Sequence, residues 1–239
     1  MSAALIVGAG DGTGAAVARR FAREGFTACV ARRSASALTP LVEDIVAAGG
    51  QAEAFGLDAV DEAAVVQTVA EVEERHGPLE VLVYNSAVMT RGSILELTAE
   101  QVRQNWEVSA LGGFLCGREA ARRMVDRGRG TILFTGATAS LKGSSGFGAF
   151  ASGKFALRAL AQSMARELGP KGIHVAHLVV DGIINVPRVH AQMPELAAQV
   201  GEDGMLDPNA IADAYWTVHA QPRNAWTHEL DVRPFKERW

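Results

Sequence analysis

The sequence predicts a single α/β domain in which a parallel sheet of about seven strands is doubly wound, with helices on both faces. Two observations support this fold class. Short apolar runs alternate along the chain with longer amphipathic segments, the order of strands and crossover helices in a parallel sheet. No linker or internal repeat divides the 239 residues. We therefore expect one domain over residues 1–239.

The first unit is a strand, a glycine-rich turn and a helix. Residues 3–7 form an apolar run, and an amphipathic segment follows at 15–25. The turn between them, residues 8–14, lets backbone N–H groups approach a ligand, and the helix start adds a positive dipole end, so a phosphate is the preferred ligand. The glycine spacing is GxxxGxG instead of the GxGxxG of one dinucleotide fingerprint. A tight turn that binds nothing is the alternative interpretation.

Glycine, proline and capping signals divide the rest of the chain. Strands are predicted at residues 27–30, 51–57, 80–84, 131–135, 173–180 and 227–232. Helices are predicted at residues 36–48, 61–75, 98–127 and 150–168 and from residue 207 onward. Residues 136–148, rich in Gly, Ser and Ala, are expected to form a functional loop, and residues 182–206 a helical flap.

The predicted strand ends gather polar residues. In a doubly wound sheet, ligands bind beyond the carboxyl ends of the strands. The glycine turn, the 136–148 loop and four side chains follow strand ends, namely Arg32, Asp58, Asn85 and Asp181. One binding site is therefore expected at this edge.

Composition narrows the choice of partners. The net charge of −4 gives no broad electrostatic case for nucleic acid or an anionic membrane, so we expect a small-molecule substrate. No apolar run approaches the roughly 18 residues of a membrane-spanning helix, and the first residues do not resemble a signal peptide. Cys29 and Cys116 are expected to be buried thiols of a cytoplasmic protein.

Several motifs, in this order and spacing, make the chain resemble the short-chain dehydrogenase/reductase family over essentially its whole length. Val7 and the glycine turn are similar to the family's TGxxxGxG, with Val in place of Thr. The residues Tyr84-Asn85-Ser86-Ala87 stand where NNAG is usual, and Lys154 stands where the lysine of YxxxK is usual. Asp58 matches the family's adenine-contacting acid. The resemblance implies a Rossmann-like fold and a nicotinamide dinucleotide.

The resemblance assigns the cofactor to a defined set of residues. These are Gly8, Asp11, Gly12, Thr13, Gly14, Arg32, Arg33, Asp58, Asn85, Ala87 and Lys154. Arg32 and Arg33 follow the predicted second strand, and no acidic residue accompanies them. Two guanidiniums suit the 2′-phosphate of NADP(H) better than the free 2′-hydroxyl of NAD(H). Asp11 favours NAD(H), because family members that prefer NADP often carry a basic or neutral residue there. We expect NADP(H).

The family's catalytic set is largely missing. Its members use a Tyr hydroxyl as acid or base, a lysine that lowers the Tyr pKa and binds the nicotinamide ribose, a Ser and an Asn. Here the Tyr position is Phe150, the Ser position Ala137 and the Asn position Ser109, and only Lys154 remains. A benzene ring cannot donate a proton, and general acid–base help is typically worth about 10²–10⁴ in rate.

Two functions therefore stay open. One is an oxidoreductase with a rebuilt site, acting on a carbonyl or an activated C=C bond; the other is an inactive nucleotide-binding sensor or structural subunit. The alternative proton donors are Ser144, Ser145, Thr138, Tyr84 and His190. No metal site is expected, because His174 and His177 would face opposite sides of their strand.

An oligomer is also expected. The predicted helix at residues 150–168 has an apolar arc wider than one sheet contact needs. Family members commonly pair through this helix and the one before it, so we predict a homodimer or homotetramer.

Overall fold

The structure is a computed structural model, and it describes residues 2–237. Its strands are β1 (Ala3–Val7), β2 (Thr27–Arg32), β3 (Gln51–Gly56), β4 (Leu79–Tyr84), β5 (Gly130–Ala137), β6 (Ile173–Val180) and β7 (Glu229–Val232). They form one parallel sheet in the order β3-β2-β1-β4-β5-β6-β7. The predicted seven-stranded parallel sheet is confirmed.

Helices cover both faces of this sheet. They are α1 (Thr13–Arg23), α2 (Thr39–Ala47), α3 (Glu62–His76), α4 (Ala99–Trp106), α5 (Gly112–Val125), α6 (Gly148–Leu168), α7 (Pro187–Gln192), α8 (Pro194–Val200) and α9 (Pro208–His219). One apolar cluster lies under α3, α5 and α6, and a second lies under α1, α2 and α9. The doubly wound arrangement follows, because each strand of the sheet centre is buried on both faces.

The strand order reverses between β1 and β4, and this reversal positions the site. Val7 at the end of β1 pairs with Tyr84 at the end of β4. Asn85 continues from β4 and donates its backbone N–H to the Val7 carbonyl at 2.8 Å. Because neighbouring crossovers leave in opposite directions here, a crevice opens at the carboxyl ends.

Several element boundaries differ from the sequence-based prediction. The predicted helix at 36–48 begins as a 3₁₀ turn, Ala35–Leu38, and becomes α-helical only at Thr39, with a proline in its first turn. The predicted helix at 98–127 contains a π-helical turn, Glu107–Leu111, between α4 and α5. Strand β5 runs on to Ala137 because that residue pairs with Val180.

The flap predicted at residues 182–206 contains two short helices, α7 and α8. A bridge between Ile184 and Leu206 joins its two ends. Among the helices in residues 2–237, none combines the length and the apolar character needed to cross a membrane.

Candidate functional site

The glycine turn after β1 is pressed against the end of β4. Gly8 has φ +87°, and a Cβ there would lie 2.6 Å from the Ser86 backbone nitrogen. A Cβ on Gly14 would lie 2.5 Å from the Gly8 carbonyl oxygen. Asn85 Nδ2 donates to that same oxygen at 2.9 Å. A side chain at Gly8 would therefore separate the turn from the residues that follow β4, and one at Gly14 would separate the start of α1 from the turn.

The start of α1 offers free hydrogen-bond donors. Gly12 is the N-cap residue, and no side chain caps the helix. The N–H groups of Thr13 and Gly14 in the first turn therefore lack acceptors within the helix. The Thr13 hydroxyl is buried and has no hydrogen-bond partner among residues 2–237. Donors around a positive helix end fit the pyrophosphate of a dinucleotide.

The residues predicted to hold the adenosine end lie at the adjoining strand ends. Arg32 ends β2, and its carbonyl accepts the Leu57 N–H at 3.0 Å, which places the exposed Asp58 next to it. Arg33 is exposed, and within residues 2–237 no ion pair joins either guanidinium to a carboxylate. Two further predicted contacts, Asp11 and Ala87, are exposed on loops that follow β1 and β4.

Lys154 is a buried residue of α6, which rules out a plain surface lysine. It is 3% exposed, and its Nζ donates to the Thr135 carbonyl at 2.7 Å. Burial lowers its pKa to about 8, because desolvation disfavours the charged ammonium. The Phe150 ring centroid lies 5.8 Å from Nζ, one helical turn earlier.

A chain of polar groups lies behind Lys154 that the sequence analysis missed. His177 on β6 is fully buried, and its Nδ1 lies 3.2 Å from Glu229. Arg158 of α6 holds the same carboxylate through two bonds of 2.7 and 2.6 Å. Burial, with a smaller contribution from the Lys154 charge, lowers the pKa of His177 to about 4. A histidine inside the apolar run of β6 was the available signal.

None of the three residues predicted to stand at the family's Tyr, Ser and Asn positions presents an accessible hydroxyl. Phe150 is half-buried, and Ala137 ends β5. Ser109 lies in the π-helical turn, fully buried, and its hydroxyl has no partner in the described part of the chain. A Cβ on Gly153 would lie 3.0 Å from the Ser109 Cβ, so α6 closes over this serine.

The alternative donors differ in their surroundings. The prediction of Tyr84 as an alternative proton donor is wrong, because Tyr84 is fully buried and its hydroxyl donates to the Val108 carbonyl. Burial raises the Tyr84 pKa well above its usual value. His190 is exposed and bonds to Asn185 at 2.7 Å. Ser144 and Ser145 line a cleft of ≈ 520 Å³ between the loops that precede α4 and α6.

Thr138 differs from these, because its hydroxyl donates to the carboxylate of Asp181. Asp181 follows β6 and is buried. Both residues follow predicted strand ends, but no sequence pattern indicates that they are bonded to each other.

The histidines do not gather around a common point. His174 stacks on Trp226 with ring centroids 4.8 Å apart, while His177 faces Glu229 across the other side of β6. In residues 2–237 no three His, Cys, Asp or Glu side chains are grouped to hold a metal ion.

Comparisons with known proteins agree with this geometry. A family model described as short chain dehydrogenase matches residues 2–195. A short-chain dehydrogenase/reductase of Hericium erinaceus, eriH, is 37% identical over 191 residues, which cover 77% of this chain and 75% of that protein.

Two solved structures extend the likeness to the whole chain. A short-chain dehydrogenase from Rhodopseudomonas palustris is 45% identical with a TM-score of 0.85, covering 98% of this chain and 99% of that one. A metagenomic short-chain oxidoreductase in complex with NADP is 25% identical with a TM-score of 0.83, covering 98% and 97%. The fold, the glycine turn and these matches together place the chain in the short-chain dehydrogenase/reductase family of oxidoreductases.

Proposed function

We propose that this chain is an NADP(H)-dependent oxidoreductase that acts on a small molecule through an atypical catalytic site. The observation that carries the proposal is the uncapped start of α1 behind the glycine turn. It places the free N–H groups of Thr13 and Gly14, together with the buried Thr13 hydroxyl, where a pyrophosphate would be bound.

The choice of NADP(H) rests on charge. Arg32 ends β2 and Arg33 follows it, without a neighbouring acid in the sequence, and a guanidinium–phosphate contact is worth about 1.5–3 kcal/mol. The metagenomic relative was solved with NADP, which supports the same choice. Asp11 next to the turn opposes it, and we expect the two arginines to dominate.

The remaining contacts follow from the same edge of the sheet. We infer that Asp58 approaches the adenine, and that Asn85 and Ala87 line the path from the turn to the reaction centre. Lys154 uses one of its three N–H donors on the Thr135 carbonyl, which leaves two for the hydroxyls of a ribose. When bound, the nicotinamide supplies or accepts a hydride.

A buried carboxylate favours an enzyme over an inactive protein. Lys154 and Asp181 are 3% and 7% exposed. Burying an ammonium or a carboxylate destabilises the folded state unless it is well paired. Lys154 would bind the ribose in either candidate, so its burial does not separate them. Asp181 has no part in holding the nucleotide as proposed above, and its buried carboxylate at the end of β6 is therefore what favours an enzyme. We infer that it serves reduction of a carbonyl or an activated C=C bond, or the reverse oxidation.

The second candidate is a nucleotide-binding sensor or structural subunit without catalysis. The apolar side chains of Phe150 and Ala137, in place of Tyr and Ser, favour it. In this alternative, the nucleotide would bind as proposed above and no hydride would move.

One experiment separates the two candidates. NADPH oxidation and NADP⁺ reduction are followed with a fixed panel of aliphatic and aromatic ketones, enones and secondary alcohols. Turnover with any member supports the oxidoreductase. Nucleotide binding with no turnover across the panel contradicts it and favours the sensor.

We further propose a homodimer or homotetramer in the cytoplasm. Trp106 of α4 and Phe155 of α6 expose 44% and 42% of their surfaces, more than isolated apolar residues of a covered helix would. The thiols of Cys29 and Cys116 are free and buried, which suits a reducing compartment.

A further inference from the structure

Two polar side chains meet where β5 and β6 end. Ala137 pairs with Val180 in the sheet, so the next residues of the two strands, Thr138 and Asp181, are neighbours. The Thr138 hydroxyl donates to Asp181 Oδ1. Asp181 is 7% exposed, while Thr138 is half-buried and is therefore the member that a ligand reaches first.

Arg233 and Thr138 contact the two oxygens of the Asp181 carboxylate. Arg233 Nε lies 3.6 Å from Asp181 Oδ2. The Thr138 hydroxyl donates to the other carboxylate oxygen. Asp181 Oδ1 already accepts the Thr138 hydroxyl hydrogen, so it is the atom to which that hydrogen can move.

The pair lies beside the vacant catalytic positions. Thr138 directly follows Ala137, the position of the family's serine. The 3₁₀ turn Thr138–Ser140 packs against α6, which carries Phe150 and Lys154. A hydroxyl therefore directly follows the position of the family's serine, and a carboxylate is bonded to it.

The direction of the hydrogen bond from Thr138 to Asp181 determines which functional group of a substrate Thr138 can bind. Because the one hydroxyl hydrogen of Thr138 is directed at Asp181, the Thr138 oxygen has only acceptor positions left for a ligand. An alcohol O–H can donate to that oxygen, whereas a carbonyl oxygen cannot. The free side of the pair therefore matches a substrate hydroxyl.

We propose that Thr138 binds the hydroxyl of a secondary alcohol and passes its proton to Asp181 during oxidation. This rests on the proposed oxidoreductase function. The alcohol C–H bond breaks and its hydride goes to the oxidised nicotinamide dinucleotide. The alcohol proton moves to Thr138 Oγ1 as the Thr138 proton moves to Asp181 Oδ1, and a ketone is formed. Asp181 then releases the proton to water. Thr138 is the catalytic residue and Asp181 the positioning residue that acts through it.

The test compares the parent with Thr138→Val, Thr138→Ser and Asp181→Asn. Thr217→Val is the matched control, because Thr217 also bonds through its hydroxyl, but to the Asp213 carbonyl on the exposed side of α9. Circular dichroism shows whether each variant folds, and the NADPH dissociation constant shows whether it binds the nucleotide. NADP⁺ reduction with the secondary alcohols of the panel then gives kcat and KM.

We expect Thr138→Val and Asp181→Asn to lower kcat by about 100-fold or more, the range of general acid–base catalysis, with KM and the NADPH dissociation constant little changed. Thr138→Ser, which keeps the hydroxyl, should retain most of the activity, as should the Thr217→Val control. If Thr138→Val has a kcat near that of the parent, the proposed proton transfer through Thr138 to Asp181 is wrong, while the oxidoreductase proposal is unaffected.

A second readout does not depend on turnover. The side-chain carboxyl carbons of the Asp residues are labelled with ¹³C, and the Asp181 signal is assigned from its loss in Asp181→Asn. In the NADPH-loaded protein no hydride can leave an added alcohol. Panel alcohols should shift the Asp181 signal in the parent and not in Thr138→Val. If no alcohol changes the chemical shift of Asp181, the proposed role of Thr138 and Asp181 is wrong. If the parent transfers no hydride with any member of the panel, the proposed oxidoreductase function is wrong.

Discussion

We propose that Phe150, one helical turn before Lys154, stands at the position of the family's catalytic Tyr. The Phe150 ring centroid lies 5.8 Å from Lys154 Nζ, and that ammonium is directed at the Thr135 carbonyl. We also assign the family's Ser and Asn positions to Ala137 and Ser109. On this assignment three residues that act together differ from the family, so reversing one of them leaves the other two unchanged.

The first prediction is that Phe150→Tyr alone does not restore ketone reduction. Ala137 offers no hydroxyl to orient the substrate oxygen, and Ser109 is buried. Catalytic groups that act as a unit are strongly non-additive, so we expect less than about a tenfold gain over the parent. The measurement is NADPH oxidation with activated ketones. The triple variant with Ala137→Ser and Ser109→Asn should exceed every single change, and robust turnover by Phe150→Tyr alone would contradict the prediction.

The second prediction concerns the arginines after β2. Arg32→Asp removes a charge that would pair with the 2′-phosphate and supplies a carboxylate for a free ribose hydroxyl. The loss of about 1.5–3 kcal/mol corresponds to a roughly 10–100-fold weaker affinity for NADP⁺, so the preference should turn to NAD⁺. Fluorescence titration with both nucleotides measures it.

Arg23→Asp is the control for that experiment. It makes the same charge change at an exposed position in the last turn of α1, away from the glycine turn. Equal affinity of the parent for both nucleotides would refute the assignment.

At the scale of elements, β6 is the strand that connects the site to the core. All eight of its residues are buried, among them His174 and His177. Burial lowers the pKa of His177 to about 4, and that of His219 on α9 to about 4 as well. Both imidazoles are therefore neutral in the folded protein at neutral pH.

The third prediction is loss of stability in mild acid. An unfolded histidine titrates near pH 6.5, and the folded ones titrate near 4, so between these values the unfolded chain binds more protons. The free energy of unfolding should be unaffected by histidine above about pH 6.5 and should fall as the pH drops toward 4. Urea unfolding between pH 7.5 and 5 measures the slope.

The variant His177→Gln should flatten that slope, because it removes one of the two strongly shifted histidines. Its stability at pH 7.5 is compared separately, since the Glu229 contact is altered too. A parent whose unfolding free energy is constant over this pH range would contradict the prediction.

Much of the element order could be predicted because local signals coincide with it. Residues 3–7 and 173–180 are apolar runs between breakers, and they are β1 and β6. The end of β5 was missed because Gly136 and Ala137 look like loop residues and join the sheet only by pairing with Val179 and Val180. Pairing with β6, and not the local composition, determines where β5 ends.

Part of the candidate site could likewise be predicted from local sequence, and part could not. The glycine turn and Asn85 carry a sequence pattern, so their place was predictable. The bonds of Thr138 to Asp181 and of His177 to Glu229 join residues 43 and 52 positions apart. No spacing within one element encodes such contacts, because they depend on the order of β5, β6 and β7 in the sheet.

At the scale of the whole molecule, helices α4 and α6 expose large apolar side chains. Trp106 on α4 and Phe155 on α6 are 44% and 42% exposed. The two helices pack against each other, so their exposed residues lie on neighbouring surfaces. A second copy of the chain is the partner that a homo-oligomer would supply.

The fourth prediction is that Phe155→Glu dissociates this oligomer. A carboxylate in an apolar interface must be desolvated without a partner, which is strongly unfavourable. Light scattering should give a multiple of the 25.3 kDa chain mass for the parent and the single mass for the variant. The control Val46→Glu changes an exposed apolar residue on α2, away from α4 and α6. A monomeric parent at micromolar concentration would contradict the prediction.

The most direct test of the account is calorimetric titration of the protein with NADP⁺ and NAD⁺. We predict one site per chain, with NADP⁺ binding at least about tenfold more tightly, since each tenfold corresponds to 1.4 kcal/mol and a phosphate contact supplies more than that. Gly8→Ala should abolish binding, because its Cβ would lie 2.6 Å from the Ser86 nitrogen. No heat and no thermal shift with either nucleotide at millimolar concentration would contradict the account.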